Sequence, residues 1–480
     1  MIFIVYILIL GILLFMYAIA PLFLDASFIS EVLMLDFIVL AMFVAYNFDL
    51  LKKNLFRHSV FFLYGFIIVH FQYLFLFCIQ GNITSKVDIW VDTTIVCKSL
   101  VISSIGMLLF IMGYICYSFN EGRGYITKTN TKINKNIAKL SSQRRPVILI
   151  VLAYAAFIGF VYTADPRYLS GLYGSIDPGP AANRLQLVLN TLVGAIIVIN
   201  ARTFIVNSFQ NKSFYQHVKN MGVFFNILIA VYVGLVLFIG DRGPAITIML
   251  FYMASYVFLV KDKPKPLVII SGLIIGAILM TFVGIYRNVD KNLSFSKKLE
   301  VAFSDNSSTG QTSELAGSVR SLHYAVSAVP NKTGYKYGWF QLRQILIAVP
   351  GSPILLDQFE HDYQDKGSPA MITYLDQGRF YTYGLGSTVI ADFYLDLGLL
   401  GVIIGMFVFG YFMSKFEYLA YSKEATGYLL FVFIMVFMSK SIYFSRSTAL
   451  SAFQESIWIY IIVLVNQYLF KSIGKKFNSI

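Results

Sequence analysis

Residues 1–24 read MIFIVYILILGILLFMYAIAPLFL, without one charged side chain. A run of ~20 apolar residues is what an α-helix needs to cross the hydrocarbon core of a bilayer. The run contains Ala18-Ile19-Ala20, a cleavage-like pattern, but no basic residue leads it and its apolar stretch is longer than a signal-peptide core. It reads as an uncleaved first span. Working outward, the rest of the chain repeats the theme. Of 480 residues, 57% are hydrophobic and 13% charged, and the mean hydropathy is +0.69. Soluble domains carry about 25% charged residues, so this chain cannot coat a water-facing surface of its size. The 76 Phe and Tyr residues suit the boundary between apolar and polar solvent. A soluble enzyme, a disordered chain and a disulfide scaffold are excluded.

Twelve stretches have the length and apolarity of a span, at roughly 1–24, 30–51, 59–80, 94–118, 146–163, 185–206, 221–240, 244–260, 267–286, 387–414, 427–444 and 449–470. The stretch 387–414 is too long for one simple span and is expected to begin as a short separate helix. The fold class expected is an all-α polytopic membrane protein. It divides into spans one to nine (1–286), a large external loop (287–383) and spans ten to twelve (384–480).

The net charge of +13 lies in short clusters between spans, which is how membrane topology is encoded rather than a nucleic-acid footprint. Alternating the loops puts Lys52, Lys53 and Arg57 on one side, with the basic run from Arg123 to Arg145, Arg202, Lys212, Lys219, Lys261 to Lys265, Lys415, Lys423 and Lys471 to Lys476. That side collects 21 of the 38 basic residues against five acidic ones, so it is expected to be cytoplasmic, with both termini. The 119–145 run reads as topogenic and lipid-contacting. No phosphate-binding loop, zinc spacing or dinucleotide fingerprint occurs, and nothing on this side looks catalytic. Cys78, Cys97 and Cys116 have no metal-ligand spacing; Cys78 and Cys97 flank one external loop and could pair, though apolar filler is the simpler reading.

The external segment 287–383 has 97 residues, ten basic and nine acidic. Loops this long are uncommon unless functional or disordered. Its stretch Tyr335–Ile347 interleaves aromatic and apolar residues with Lys336 and Arg343, like an interfacial helix, so a folded cap is expected. Arginines gather at this side: Arg242 in the tight turn Gly240-Asp241-Arg242-Gly243-Pro244, Arg446 in another turn, Arg167, Arg184 and Arg287 at span ends, and Arg320, Arg343 and Arg379 in the cap. Guanidinium grips phosphate oxygens through two parallel hydrogen bonds, which suits a lipid-linked diphosphate beside a bilayer. Single arginines equally cap helices or meet headgroups. In Tyr383–Gly398, a helix would put Asp392 and Asp396 on one face, where carboxylates need an arginine partner or a proton to accept. Gly398, Gly401 and Gly405 follow at a spacing that permits close helix packing. His323 and His361 are the only external imidazoles and, with Asp392, are the candidates for accepting a proton. Asp36, Lys440 and Glu455 are candidates for buried interhelical pairs.

With these residues in hand, the chain resembles the Wzy-type O-antigen polysaccharide polymerases. The resemblance rests on the 240–244 turn, Gly384-Leu385-Gly386-Ser387, the pair Asp392/Tyr394, the glycines 398–405, the Arg446 turn, and the layout of about a dozen spans with one large external loop. It implies a glycosyltransferase of GT-C-like architecture in the bacterial inner membrane, acting on the periplasmic face. Donor and acceptor would both be polyprenyl-diphosphate-linked oligosaccharides, handled among membrane lipids without nucleotide sugar, metal or other cofactor. It also implies a flippase and a chain-length regulator as partners, with no nucleic acid. On this reading Asp392, His323 and His361 are candidates for catalysis. Asp241, Arg242, Arg287, Arg320, Arg343, Arg379, Tyr394, Asp396 and Arg446 are candidates for holding diphosphate or glycan. Two features depart from the family pattern: none of the external arginines from Arg167 to Arg379 is followed by the arginine-ten-residues-glycine spacing, and Asp396 stands where Asn is more usual. An O-antigen ligase shares the layout and chemistry but would use the lipid A core as acceptor. A lipid-oligosaccharide flippase or transporter fits the span count but would not need the 97-residue cap, and a purely structural membrane subunit would not need the external arginines.

Overall fold

A computed structural model describes residues 2–81, 89–120, 146–170, 177–206, 213–260, 264–265, 267–272, 297, 312–356, 358, 362–381, 384–422 and 428–477. Every regular element among them is helical, as a bilayer demands of segments that must satisfy their own backbone hydrogen bonds. The main helices in chain order are α1 (Ile2–Ala18), α2 (Ala26–Tyr46), α3 (His58–Gln80), α4 (Thr93–Asn120), α5 (Val147–Thr163), α6 (Pro180–Val206), α7 (Phe214–Met221), α8 (Val223–Ile239), α9 (Arg242–Leu259), α10 (Val319–Ala328), α11 (Trp339–Leu346), α12 (Ser368–Gln377), α13 (Val389–Ser422), α14 (Tyr428–Lys440) and α15 (Ser451–Phe477).

Five of these are long and apolar enough to cross a membrane: α2, α3, α4, α6 and α13. A sixth arises if α7 and α8, bent by 101° at Gly222, count as one broken span. Four shorter apolar helices accompany them at Ile2–Ala18, Val147–Thr163, Gly243–Phe258 and Tyr428–Lys440. The chain is therefore a multi-pass helical membrane protein. The expected count of twelve is not reached on these criteria, partly because most of the expected ninth span, 267–286, lies outside the described residues.

The core is built on α4 against α13. Gly113 and Gly410 make this possible: a Cβ on the first would sit 2.0 Å from the Phe407 carbonyl oxygen, and one on the second 2.0 Å from that of Phe110. Backbones this close are how helices gain contact in lipid, where apolar burial drives little association. The expected break in α13 is present at Leu397–Gly398, where Gly398 takes a left-handed φ of 62°. The Tyr335 ring occupies the space where a side chain would be, 2.9 Å from a Cβ built there. Gly401 and Gly405 pack on Phe393, so the glycine run does serve packing.

The three residues expected in buried interhelical pairs make two contacts inside the bundle, of which one is a charge pair. Lys440 Nζ lies 2.7 Å from Glu455 Oε2, joining α14 to α15. Asp36 instead accepts from the Ser104 hydroxyl at 2.7 Å, joining α2 to α4 without a cation. A third was not foreseen. Arg57 pairs with buried Glu417, which also accepts from the Tyr114 hydroxyl at 2.6 Å and the Ser59 hydroxyl at 2.8 Å. Arg202 lies over the Tyr428 ring at 3.4 Å, and at the other end Lys98 lies 4.9 Å over Tyr17. Apart from the mid-helix Asp36–Ser104 bond, each contact joins helix ends that loop alternation assigns to the same side. Cys78 and Cys97 are free thiols, donating to the Ala26 and Phe23 carbonyls, so the alternative of a pair between them is not realised.

Candidate functional site

The break at Leu397–Gly398 leaves the carbonyls at the end of the 389–396 helix without helical partners, and the cap supplies them. Lys336 N donates to Leu395 O at 3.1 Å and Tyr337 N to Asp396 O at 2.9 Å. This lays the start of α11 across the break. Asp396 then caps α11 from outside its own chain segment, its two oxygens accepting from Phe340 N and Gln341 N, each at 3.2 Å. Those amides belong to the first turn of α11, where donors lack intrahelical partners and a carboxylate is favoured by the helix dipole.

Asp392 lies one turn earlier on the same face and is fully buried. It accepts from Gln341 Nε2 at 2.8 Å and Gln344 Nε2 at 3.1 Å on α11, from the Ser368 hydroxyl at the start of α12, and from Ala449 N at 3.0 Å just before α15. Gln344 closes the ring by accepting from Leu450 N at 2.9 Å. Trp458 Nε1 on α15 donates to Ala348 O at 3.0 Å. One carboxylate thus holds together three segments: α11, α12 and the 447–450 turn. The expectation that Asp392 and Asp396 share a face holds. Among the described residues neither carboxylate pairs with an arginine; their oxygens accept from the amide, hydroxyl and backbone N–H groups named above.

Two arginines ride on the pieces that Asp392 joins. Arg343 precedes Gln344 on α11 and is half-buried beside Gly367; a Cβ on that glycine would lie 4.0 Å from its Nη1. Arg446, also half-buried, ends a turn of 3-10 helix at Tyr443–Arg446, three residues before Ala449. That turn is seated against α3 at Gly65, where a Cβ would lie 2.4 Å from Ile442 O. Lys336 pairs with Asp365 at 2.8 Å, and Trp339 Nε1 donates to Asp365 O at 3.2 Å, fixing the 363–366 turn beside α11.

The other expected site residues are dispersed. Arg320 pairs with Asp376 at 3.3 Å and stands near Tyr324, whose hydroxyl also donates to Asp376. Arg379 is exposed on the cap. Tyr394 is buried and hydrogen-bonds Tyr17 of α1, away from α11. Asp241 holds the N-cap position of α9 without a side-chain cap bond, Arg242 opens that helix with its side chain outside the described set, and Arg287 and His361 also lie outside it. His323 is fully buried, with Nδ1 3.3 Å from Ile89 O. Burial pushes its imidazole down to about 4, with Arg320 lowering it further, so the ring is neutral at neutral pH and closed to solvent. Sequence reading missed Gln341, Gln344 and Ser368. The signal available was the Gln pair three apart on a short cap helix, which puts both amides on one face.

On α11, Leu342 and Ile345 are exposed while Phe340 and Gln344 are buried. The fold defines a multi-pass helical membrane protein whose described residues in 312–381 fold into short helices joined to the bundle through Asp392 and Asp396. The chain matches the family model described as O-antigen polysaccharide polymerase Wzy over residues 1–478, and it belongs to that family. It is therefore a glycosyltransferase-type polymerase of lipid-linked repeat units. No curated protein and no solved structure matches it.

Proposed function

We propose that the polymer is made on the periplasmic face of the bacterial inner membrane, at the junction of α11, α12 and the Arg446 turn. The observation that carries this reading is the convergence of those three segments on Asp392. Attack by an acceptor sugar hydroxyl on the donor's anomeric carbon forms the new glycosidic bond and breaks the bond to the polyprenyl diphosphate. The diphosphate leaves with the bonding electrons, so negative charge grows where guanidinium forks can receive it. Arg343 and Arg446 are the residues assigned to it, with Arg242 completing the set from α9. Asp392 and Asp396, with their oxygens engaged by cap donors, act as positioning residues. His323 is buried and neutral and supports the cap's packing, which leaves His361 as the external imidazole able to take the hydroxyl proton.

The orientation follows from charge: 21 basic residues on one side, both termini with them, and twelve spans in a GT-C-like arrangement. Reporter fusions at Lys132 and Gln311 are expected to give opposite compartment signals, cytoplasmic and periplasmic in that order. Equal signals would overturn this topology. A flippase must deliver the lipid-linked unit to that face, and a chain-length regulator is the other partner expected. Deletion of the gene is expected to leave lipopolysaccharide with core plus a single repeat unit. Bare core with polymer stranded on the carrier would instead indicate a ligase, and loss of repeat units from the periplasmic face would indicate a flippase.

A further inference from the structure

Beside the cap, and apart from the Asp392 cluster, lies a cleft of about 480 Å³ between the start of α4, α10 and α12. This is within the range of small-molecule sites, about 300–1,000 Å³. Its walls include Trp90, Asp92, Tyr324, Ser327, Lys332 and Leu375. The composition is informative. Two aromatic rings and an aliphatic side chain offer flat apolar area, while a carboxylate, an ammonium and a hydroxyl offer both hydrogen-bond donors and acceptors. A pyranose ring presents the same mixture, with apolar C–H faces and a rim of hydroxyls.

The walls are held in place before any ligand arrives. Trp90 stands between Phe77, at 6.2 Å with the rings nearly perpendicular, and His323, at 6.1 Å. Tyr324 is anchored through its hydroxyl to Asp376, which Arg320 also holds. Asp92 spends one oxygen, Oδ1, on the first turn of α4, accepting from Thr94 N at 2.9 Å and from the Thr94 hydroxyl at 2.6 Å. Its Oδ2 accepts nothing among the described residues. Lys332 is exposed and lines the same cleft as Asp92. Among the described residues no arginine lines the cleft, and Arg320, near Tyr324, is paired with Asp376.

We propose that this cleft is a glycan subsite, which binds a sugar ring of the repeat unit remote from its diphosphate. The inference rests on the polymerase reading, but it concerns where sugar is recognised rather than where the bond is made. Trp90 and Tyr324 stack on the sugar faces, and Asp92 and Lys332 bind its hydroxyls. Recognition at this distance from the diphosphate lets binding energy from non-reacting sugars hold the repeat unit in register.

The test uses the full chain in lipid nanodiscs and, as probe, the host's own repeat-unit oligosaccharide released from its carrier. Two variants separate recognition from folding: Asp92→Asn, which retains an N-cap acceptor, and Lys332→Gln, which alters an exposed side chain. Calorimetry is expected to show saturable binding by the wild type, weakened about tenfold by Asp92→Asn or Lys332→Gln, the cost of one charge-assisted hydrogen bond. Polyprenyl diphosphate without sugar is expected not to compete. KM for the lipid-linked unit should rise in step while kcat holds. Unchanged affinity and KM in both polar variants would overturn the subsite, as would full competition by sugar-free polyprenyl diphosphate, while the ladder made by wild type would leave the polymerase reading standing. Failure of wild type itself to make that ladder would count against the polymerase reading, whatever the calorimetry showed.

Discussion

Replacing Asp392 by Ala is expected to undock the cap and abolish polymer together. Four donors point at this buried carboxylate: the amides of Gln341 and Gln344, the Ser368 hydroxyl and Ala449 N. Each buried donor left without a partner costs about 1–3 kcal/mol, so a loss of at least about 3 kcal/mol is expected even if water rescues some of them. Asn is the finer probe. It keeps the shape but turns an N–H₂ toward groups that are themselves donors, so Asp392→Asn should also loosen the docking. The three tryptophans report on this directly, since Trp339 and Trp458 donate to cap carbonyls and Trp90 packs on His323. The expected outcome is a red-shifted emission and a lower thermal midpoint in both variants. Wild-type emission and midpoint with activity lost would instead make Asp392 a residue that touches the reacting atoms.

The second large effect is expected at the arginines. Arg343→Lys and Arg446→Lys each keep a positive charge but lose the planar fork that meets two phosphate oxygens at once. Removing one preorganised donor from a developing anion costs about 100-fold in kcat, and a drop of that order is expected for each variant with protein level and cap emission unchanged. Arg242→Lys should fall in the same direction. Arg379, exposed on the cap and tied to none of the Asp392 segments, is the internal contrast: Arg379→Lys should keep near-normal polymer. Long-chain polymer at wild-type level in the Arg343 and Arg446 variants would remove both from the site.

Much of the helical framework is legible in local pattern. Apolar runs set the spans, and the excess length of 387–414 announced a break, because no single simple span needs 28 residues. Gly398 marks that break, with a φ of 62° that favours glycine. The pairing of Lys440 with Glu455 is also readable, since opposite charges in neighbouring apolar segments have few other ways to be buried. Arg57 and Glu417 were harder. Arg57 reads as a topology-setting charge and Glu417 is one of the five acidic residues on the same side. What makes them a buried pair is that α3 and α13, with partners 360 positions apart in the chain, meet at that end.

The site was legible in its ingredients and not in its wiring. Asp392 and Asp396 share a face because of helical period, a local property. What they hold is non-local: α11 comes from about 50 residues earlier in the chain and Ala449 from 57 residues later. No spacing rule links those positions. The same limit applies to His323, which looks in sequence like an exposed loop imidazole but is buried by the cap helix that carries it and by the chain around Ile89 and Trp90. The external arginines were read as one group, whereas Arg320 is engaged with Asp376 and Arg343 and Arg446 ride on segments joined by one carboxylate.

The central claim is that this chain alone joins lipid-linked repeat units into polymer. The most direct measurement gives purified protein in lipid only the polyprenyl-diphosphate-linked repeat unit, in the presence of EDTA, and resolves the products by size. The expected result is a ladder of products spaced by one repeat unit, with polyprenyl diphosphate released for each bond made. A folded protein that forms no ladder from authentic substrate would contradict the polymerase account. Synthesis stopped by EDTA and restored by a divalent cation would contradict the arginine-based handling of the leaving diphosphate.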